Sequence, residues 1–373
     1  MLPNDLPCFN NLEITRCPQF LVEGSSIRLP SLTSIAMNDV PLTSLQVVPE
    51  MRSMVADEVI SANAKSKHPS SITSLSIGMI KKLVLLPKWV PHGPMELEAL
   101  KITSCEELKT LWTNVARVQH SLPAFRHLEI EGYPQLISLF EEDEDDEDQH
   151  QQQQEEGLPC IVRLEHLTID NCEKLEKLPR LLHTLTFLRE LLKYMPDALP
   201  NNNSLSHLFL YGCKNLESIP EGWFYSATNL RELDVRGCKK LKDLQLLPHG
   251  LQTINYLTSL HLLEMNISHW NNNFKKLGLH SLSSLTTLLI SGREEEDLVG
   301  FSFPIDGMLL PTSVISLYIG GYPRPKSLPV QRLPSSLNTL SIWGSWKLTG
   351  KCEKGKGKYW PHLSHIPQVY VHG

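Results

Sequence analysis

Cysteine and histidine are the residues of this 373-residue chain with the most chemistry to offer, since both ligate metals and act in catalysis. Five of the eight cysteines occur at one position of a repeating pattern, eight residues after an apolar anchor: Cys17, Cys105, Cys172, Cys213 and Cys238. No two cysteines form a CxxC pair, the spacing typical of structural zinc sites. The thiols therefore follow the spacing of the repeat rather than that of a metal-binding motif.

Neighbouring members of this cysteine row are also candidates for disulfide bonds. Adjacent strands of a sheet lie about 4.8 Å apart, a separation that a disulfide tolerates, so geometry leaves a bridge among Cys172, Cys213 and Cys238 open. The N-terminal sequence lacks the basic segment and apolar core of a signal peptide, and no apolar run approaches the roughly 18 residues of a membrane span. We therefore expect a cytoplasmic, intracellular chain in which these cysteines are buried thiols.

The fifteen histidines form no recognisable catalytic pattern. The motifs HExxH, GxSxG and GxxxxGK[ST] are absent from the sequence, so we expect neither enzymatic activity nor a cofactor. His127, His166 and His207 recur two residues after an apolar anchor. A metal-binding row is one interpretation of these three, but we favour a solvated surface role and predict no metal site.

The elements that position these residues come from one apolar repeat. An apolar residue at position i is followed by aliphatic residues at i+3 and i+5, and commonly by Cys or another small or apolar residue at i+8. Alternation at i+3 and i+5 predicts a short strand, and apolar residues at i+11 and i+14 predict a tight helical or 3₁₀ turn. One coil cannot bury its own apolar face, so the coils must stack as a solenoid. Twelve copies start at Phe9, Leu32, Ile72, Leu97, Phe125, Leu164, Leu205, Leu230, Leu257, Leu285, Val314 and Leu337.

The pattern LxxLxIxxCxxLxxLP resembles the leucine-rich repeat. Its variants LEHLTIDNCEKLEKLP (164–179) and LRELDVRGCKKLKDL (230–244) are similar to those of plant intracellular disease-resistance proteins. The closing stretch CEKGKGKYWPHLSHIPQVYV (352–371) resembles the terminal segment of receptors of the coiled-coil, nucleotide-binding, leucine-rich-repeat (NLR) class. The resemblance implies an α/β-type horseshoe of about twelve repeats. Parallel strands would lie on its concave face, and 3₁₀, loop or short helical segments on its convex side.

The organisation expected is a single leucine-rich-repeat domain, 1–373, closed by a capping segment, 352–373. In that segment the alternation of Ile366, Val369 and Val371 predicts a last short strand. Three intervals between anchors are too long for one coil; they contain 51–66, 141–156 and 181–195. The leucine spacing of 181–195 predicts a helix or a degenerate extra coil.

The insert 141–156 is acidic and glutamine-rich and holds ten of the 41 acidic residues of the chain. Like charges repel one another there, and no apolar residue offsets the entropy of ordering, so we predict a disordered loop. Without those ten acids the net charge of −6 becomes +4. A balance so close to neutral argues against a dedicated nucleic-acid binder.

Residues at i+2, i+4 and i+6 point into the concave face if the strands line it. These positions vary strongly from coil to coil, as a recognition surface on a constant scaffold requires. The competing interpretation of Phe209 is that its ring only packs against neighbouring side chains on the concave face and contacts no partner. Because aromatic residues and arginine supply most binding hot spots, we predict a protein-binding set made of His207, Phe209, Tyr211, Glu232, Asp234, Arg236, His261, Tyr318 and Trp343.

The resemblance implies a protein-interaction module of a plant innate-immune receptor. Such a module recognises a pathogen effector or a guarded host protein and restrains the nucleotide-binding domain of the same receptor. The sequence holds no P-loop, nucleotide-binding region or coiled coil, so we expect that switch to be absent from this chain. The alternative is a substrate-recognition subunit of a ubiquitin ligase, which would carry an adaptor-binding helical motif before the first repeat, where only eight residues precede Phe9.

Overall fold

A computed structural model describes residues 8–19, 31–47, 72–87, 90, 97–111, 124–139, 164–176, 178, 205–219, 229–241, 254, 256–264, 279–292, 310–321, 328, 330–344 and 346–372. The chain divides into two compact units, Met1–Lys174 and Leu175–Gly373. The predicted disordered loop 141–156 and the segments 51–66 and 181–195 lie outside the described residues. Within the described residues, no helix has both the length and the apolar character needed to cross a membrane.

The first unit contains a parallel sheet in which each strand pairs with the next along the chain. Each pairing joins residues at the same offset of the repeat; Leu100, for example, lies beside Leu128. In the part of this unit that the structure describes, the strands are β1 (Asn11–Thr15), β2 (Ser34–Asn38), β3 (Ser74–Gly78), β4 (Ala99–Thr103), β5 (His127–Glu131) and β6 (His166–Asp170).

The second unit repeats this arrangement, again with parallel pairing between consecutive strands. Its described strands are β7 (His207–Tyr211), β8 (Glu232–Arg236), β9 (Ser259–Leu263), β10 (Thr287–Ser291), β11 (Ser316–Gly320), β12 (Thr339–Ile342) and β13 (Gln368–Val371). The last of these confirms the strand that the sequence predicts near the C-terminus.

Helical segments in the described residues are short. Three are 3₁₀ helices, at Leu42–Val47, Leu279–Ser281 and Val330–Arg332. Two are α-helices, α1 (Trp346–Cys352) and α2 (Trp360–Leu363). Other coils turn through a single hydrogen bond of the same three-residue span, such as that from Leu216 N to Cys213 O at 3.2 Å. The spacing of three in the second half of the repeat corresponds to these turns.

Alternate residues of each strand form the core. On β4, Leu100 and Ile102 are buried while Ala99, Lys101 and Thr103 are partly exposed. The anchor Leu97 is buried as well, and the same holds for every later anchor. The recurring buried rows and the equal-offset register are those of a leucine-rich-repeat solenoid of about twelve repeats, as the sequence predicts.

A left-handed residue at i+7 ends the strand of nearly every coil. In most of these coils the N–H of the left-handed residue donates to the carbonyl at i+6 of the next coil, as from Gly237 N to Leu263 O at 3.0 Å. Glu264 N donates instead to the Ser291 side-chain Oγ at that offset, at 3.3 Å. Glycine adopts this conformation without a steric penalty, whereas Met79 and Glu264 do so as L-residues with a Cβ. The residues with positive φ at this offset are Arg16, Asp39, Met79, Ser104, Gly132, Asn171, Gly212, Gly237, Glu264, Gly321 and Gly344.

The cysteine row lies directly after this turn and is made of free thiols. Cys105, Cys172, Cys213 and Cys238 are buried, as predicted. Each donates from Sγ to the carbonyl two residues earlier, for example from Cys213 to Tyr211 O at 3.4 Å. Burial raises the pKa of Cys172 to about 12, so this thiol stays protonated and unreactive. Cys17 departs from the prediction and is only half-buried, because β1 has a neighbouring strand on one side only in the described sheet.

Gly237→Ala tests the left-handed turn. A Cβ at this residue would meet Glu264 Oε2 at 3.5 Å and Gly212 Cα at 3.7 Å, which are ordinary contacts, so the cost arises from φ alone, +65°. We expect a loss of roughly 1–2 kcal/mol in the free energy of unfolding, measured by urea denaturation. Gly350→Ala is the matched control, because the added Cβ meets no atom within 4 Å and lies in α1. Equal losses in the two variants would contradict this account.

Candidate protein-binding face

Three neighbouring strands of the second unit bring seven of the nine predicted binding residues together. Register places Phe209 beside Asp234 on β8, and Asp234 beside His261 on β9. The side chains alternate with buried residues such as Leu208 and Leu233, so they share the opposite face of the sheet. This group is called the β7–β9 patch; its members are His207, Phe209, Tyr211, Glu232, Asp234, Arg236 and His261.

Asp234 is the centre of the β7–β9 patch. Only 2% of this residue is exposed, although it lies in a row whose other members are partly exposed. Arg236 Nε donates to Asp234 Oδ1 at 2.7 Å, and the guanidinium also donates to Oδ2, so the pair is bidentate. About half of the Arg236 side chain remains exposed. The carboxylate therefore fixes the guanidinium while leaving part of it accessible to a partner.

His261 holds the other side of Asp234. Its Nδ1 lies 2.9 Å from Asp234 Oδ2, and its Nε2 lies 3.1 Å from Ser259 Oγ. A neutral imidazole with its proton on Nδ1 satisfies both contacts, because it donates to the carboxylate and accepts from the serine hydroxyl. The buried carboxylate is thus hydrogen-bonded from two adjacent strands.

Aromatic rings cover the β7 side of the β7–β9 patch. The rings of Phe209 and Tyr211 are stacked, with centroids 6.1 Å apart and an interplanar angle of 11°. His207 meets Phe209 edge-on, also at 6.1 Å. Arg236 Cζ lies 5.1 Å from the centroid of the Tyr211 ring, a cation–π contact. Tyr211 and Asp234 together define the position of Arg236.

The electrostatics of the β7–β9 patch follow from this packing. Burial alone would raise the pKa of Asp234, but the hydrogen bonds from His261 and Arg236 and the charge of Arg236 hold the pKa below its usual value. The hydrogen bond to Asp234 raises the pKa of Arg236. Burial and the negative charge of Asp234 raise the pKa of Tyr211 to about 12. At physiological pH the set is therefore a carboxylate, a guanidinium and a neutral phenol.

The two remaining predicted residues, Tyr318 and Trp343, belong to later coils, separated from β9 by β10. Trp343 follows β12, and its indole lies over Gly320 at the end of β11; a Cβ on that glycine would fall 1.7 Å from Trp343 Cε2. Tyr318 lies on β11, in register with Leu289 and Ser341. The nine predicted residues thus occupy two places on the second unit rather than one.

Two residues of this face escape the sequence prediction. Ser259 resembles a small filler in the sequence, and its hydrogen bond to His261 becomes evident only in the structure. Tyr370 on β13 is 49% exposed and follows Tyr318 and Ser341 in the i+4 row. The alternation of Val369, Tyr370 and Val371 in the sequence is the signal that would have placed this tyrosine on the exposed face of the strand.

The first unit has a more polar face. Lys101 Nζ on β4 lies 2.6 Å from Glu129 Oε1 on β5, and both side chains are more than two-fifths exposed. Glu131 and Asp170 face each other at the ends of β5 and β6. Burial and the neighbouring charge of Glu131 raise the pKa of Asp170. Exposed ion pairs of this kind contribute little to stability, at most about 1 kcal/mol.

Comparisons with known proteins identify a plant relative over half of the chain. No family model matches the chain. Over 208 residues, which is 50% of this chain and 11% of the relative, it is 28% identical to a probable disease resistance protein of Arabidopsis thaliana. The chain therefore spans about a tenth of the curated relative that it matches. This similarity confirms the predicted resemblance to the leucine-rich-repeat region of a plant disease-resistance protein.

Two solved structures show a limited similarity to this chain. A leucine-rich-repeat protein of Leptospira interrogans is 14% identical, with a TM-score of 0.42, over 92% of this chain and 78% of that one. The plant peptide hormone receptor RGFR1 in complex with RGF2 is 12% identical, with a TM-score of 0.21, over 92% and 63% of the two chains. The fold assignment rests on the strand register and not on these two likenesses.

Asp234→Asn tests the centre of the β7–β9 patch. The amide presents an N–H where the carboxylate accepts, so at least one hydrogen bond from Arg236 or His261 is lost. We expect the free energy of unfolding at pH 7 to fall by about 1–3 kcal/mol. Glu232→Gln is the matched control on the same strand, with an expected change within about 0.5 kcal/mol.

The free energy of unfolding measured at acid pH provides a second test of the role of Asp234. Folding lowers the pKa of Asp234, so the unfolded chain takes up this proton first as the pH falls. The stabilisation is complete above the ordinary value of 3.8 and is lost as the pH falls through the lowered folded value. The difference between wild type and Asp234→Asn should therefore shrink below about pH 4. A difference that stays constant down to pH 3 would contradict this assignment.

Proposed function

We propose that this chain is the recognition module of a plant innate-immune receptor. In this role it binds a pathogen effector or a guarded host protein in the cytoplasm and restrains the nucleotide-binding switch of the receptor. The observation that carries the proposal is the β7–β9 patch: variable aromatic and charged side chains held in fixed positions on a regular scaffold. The similarity to a disease resistance protein of Arabidopsis thaliana supports the biological setting.

The β7–β9 patch has the composition and rigidity of a binding hot spot. Phe209 and Tyr211 provide apolar area on stacked rings, and Arg236 provides a charge whose position is already set by Asp234 and Tyr211. Side chains that are ordered before binding lose less conformational entropy when the partner docks. Tyr318 and Trp343, on later coils of the same unit, provide a second place of contact with the partner.

The C-terminal segment 352–373 is proposed to cap the last coil. Leu363 and Ile366 are buried, and β13 pairs in parallel with β12. These contacts support a role in shielding the end of the apolar core from water. We retain the single domain 1–373 as part of the same proposal.

Replacing Phe209, Tyr211 and Arg236 together by Ala tests the surface. Proximity labelling in plant leaves, with the wild-type chain as bait, identifies the proteins that approach it, and each candidate is then titrated against both purified chains. We expect the triple variant to bind at least about 30-fold more weakly, which corresponds to about 2 kcal/mol. Chemical denaturation of both chains measures folding independently.

A second triple variant controls for the number of substitutions. Ser74→Ala, Ser76→Ala and Thr168→Ala change equivalent offsets of the repeat on the first unit, outside the predicted binding set, and binding should be unchanged. Normal binding by the first variant, or loss of binding that only accompanies unfolding, would contradict the proposal. Recovery of ubiquitin-ligase adaptors, with neither effectors nor receptor domains, would favour a ubiquitin-ligase subunit instead.

A further inference from the structure

Two histidines and a glutamate lie together on the first unit. His127 on β5 is in register with His166 on β6, and their imidazole rings are stacked with centroids 4.5 Å apart. Glu165 immediately precedes His166. Each of the three residues offers one ligand atom, and these atoms lie within 4.8 Å of one another. The sequence predicts the histidine row, but it does not indicate the carboxylate beside it.

Backbone hydrogen bonds fix the positions from which the three side chains extend. Arg126 O accepts hydrogen bonds from Glu165 N at 2.8 Å and from His166 N at 3.0 Å. Arg126 is also the residue before His127, so one peptide group sets the spacing between both strands at this point. The ligand-bearing side chains therefore need only rotations of their own χ angles to converge.

The donor set matches a transition-metal ion. Two imidazoles and one carboxylate are the protein ligands of many zinc sites, with bonds of about 2.0–2.2 Å. Tetrahedral coordination at that bond length places ligand atoms roughly 3.4 Å apart, so atoms that are now up to 4.8 Å apart must approach one another by up to about 1.4 Å. His127 is exposed and the other two are half-exposed, which leaves room for this movement and for solvent at a fourth position.

Arg126 modulates the same site. Its guanidinium Nη1 forms a short ion pair with Glu165 Oε1, and both side chains are about one-third exposed or more. A metal would share the Glu165 carboxylate with Arg126, and the positive charge of Arg126 opposes a cation. Removal of this charge should therefore strengthen metal binding, whereas removal of a ligand should weaken it.

A second set of possible ligands, Glu232, Asp234 and His261, is less suited to a metal. Both oxygens of Asp234 accept hydrogen bonds from Arg236, and His261 Nδ1 also contacts Oδ2. A metal there would have to displace a bidentate arginine from a buried carboxylate. The first unit is therefore the better candidate.

We propose that His127, Glu165 and His166 form a binding site for an imidazole-preferring divalent cation of the Zn²⁺ and Ni²⁺ class. Water or a side chain of a partner fills the fourth position. The site lies on the first unit, and it does not depend on the function proposed for the β7–β9 patch.

Isothermal titration of the purified full-length chain with Ni²⁺ at pH 7.5 tests the site. Ni²⁺ is the first probe because it favours imidazole, whereas thiolates favour Zn²⁺, so that the exposed Cys8 would add background to a Zn²⁺ titration. We expect one binding event in the wild type that weakens by about tenfold or more in His127→Ala and in His166→Ala. Glu165→Gln should weaken it less, and Arg126→Gln should strengthen it severalfold.

His362→Ala controls for general loss of a surface histidine, because His362 is exposed on α2. Its titration should match that of the wild type, and circular dichroism should show that all variants are folded. Absence of Ni²⁺ binding by the wild type, or equal binding by all five variants, would overturn the proposal. A repeat with Zn²⁺ should reproduce the order of the variants.

Discussion

No coil of this chain can bury its own apolar face, and the rest of the structure depends on that constraint. Each coil contributes one short strand, and its backbone is completed only by the next coil. Thr258 O accepts hydrogen bonds from Thr286 N and Thr287 N at 2.9 and 3.0 Å, and Gly237 N donates to Leu263 O. These contacts recur at both ends of the strands, so neighbouring coils cannot slide past each other without losing both sets. Residues at the same offset of neighbouring repeats must therefore lie side by side.

The regularity of this constraint explains why much of the fold is predictable from the sequence. Leu100 and Ile102 are buried because the alternation of a strand repeats in every coil, and Val369 and Val371 predict β13 by the same rule. The left-handed turn at i+7 was not predicted. Gly212 and Gly237 are a signal for it, but Met79 and Glu264 occupy the same offset and hide the pattern. There the hydrogen bond to the next coil outweighs the local preference of the residue.

The residues that make up the β7–β9 patch could be predicted from the sequence, but the contacts that hold them in place could not. Register follows from the repeat, so the proximity of Phe209, Asp234 and His261 follows as well. The burial of Asp234 does not, because it depends on how the side chains of Arg236 and His261 pack against it. Ser259 contributes only through its hydrogen bond to His261. Glu165 escaped the sequence analysis for a related reason. It lies one residue before β6, outside the strand positions that alternate with the core.

Contacts between side chains at the same offset of neighbouring coils hold a surface in a fixed geometry only where they are buried. Lys101 and Glu129 occupy the same row of the repeat as Asp234 and His261. The ion pair between Lys101 and Glu129, at 2.6 Å, is similar in length to the 2.9 Å hydrogen bond between His261 and Asp234. Both side chains of the exposed pair are well solvated, so water competes for each charge and the geometry is weakly held. Asp234 is shielded from water, and an unpaired charge there would be costly. Arg236 and His261 must therefore stay in place, and this requirement turns a variable row of side chains into a fixed platform for a partner.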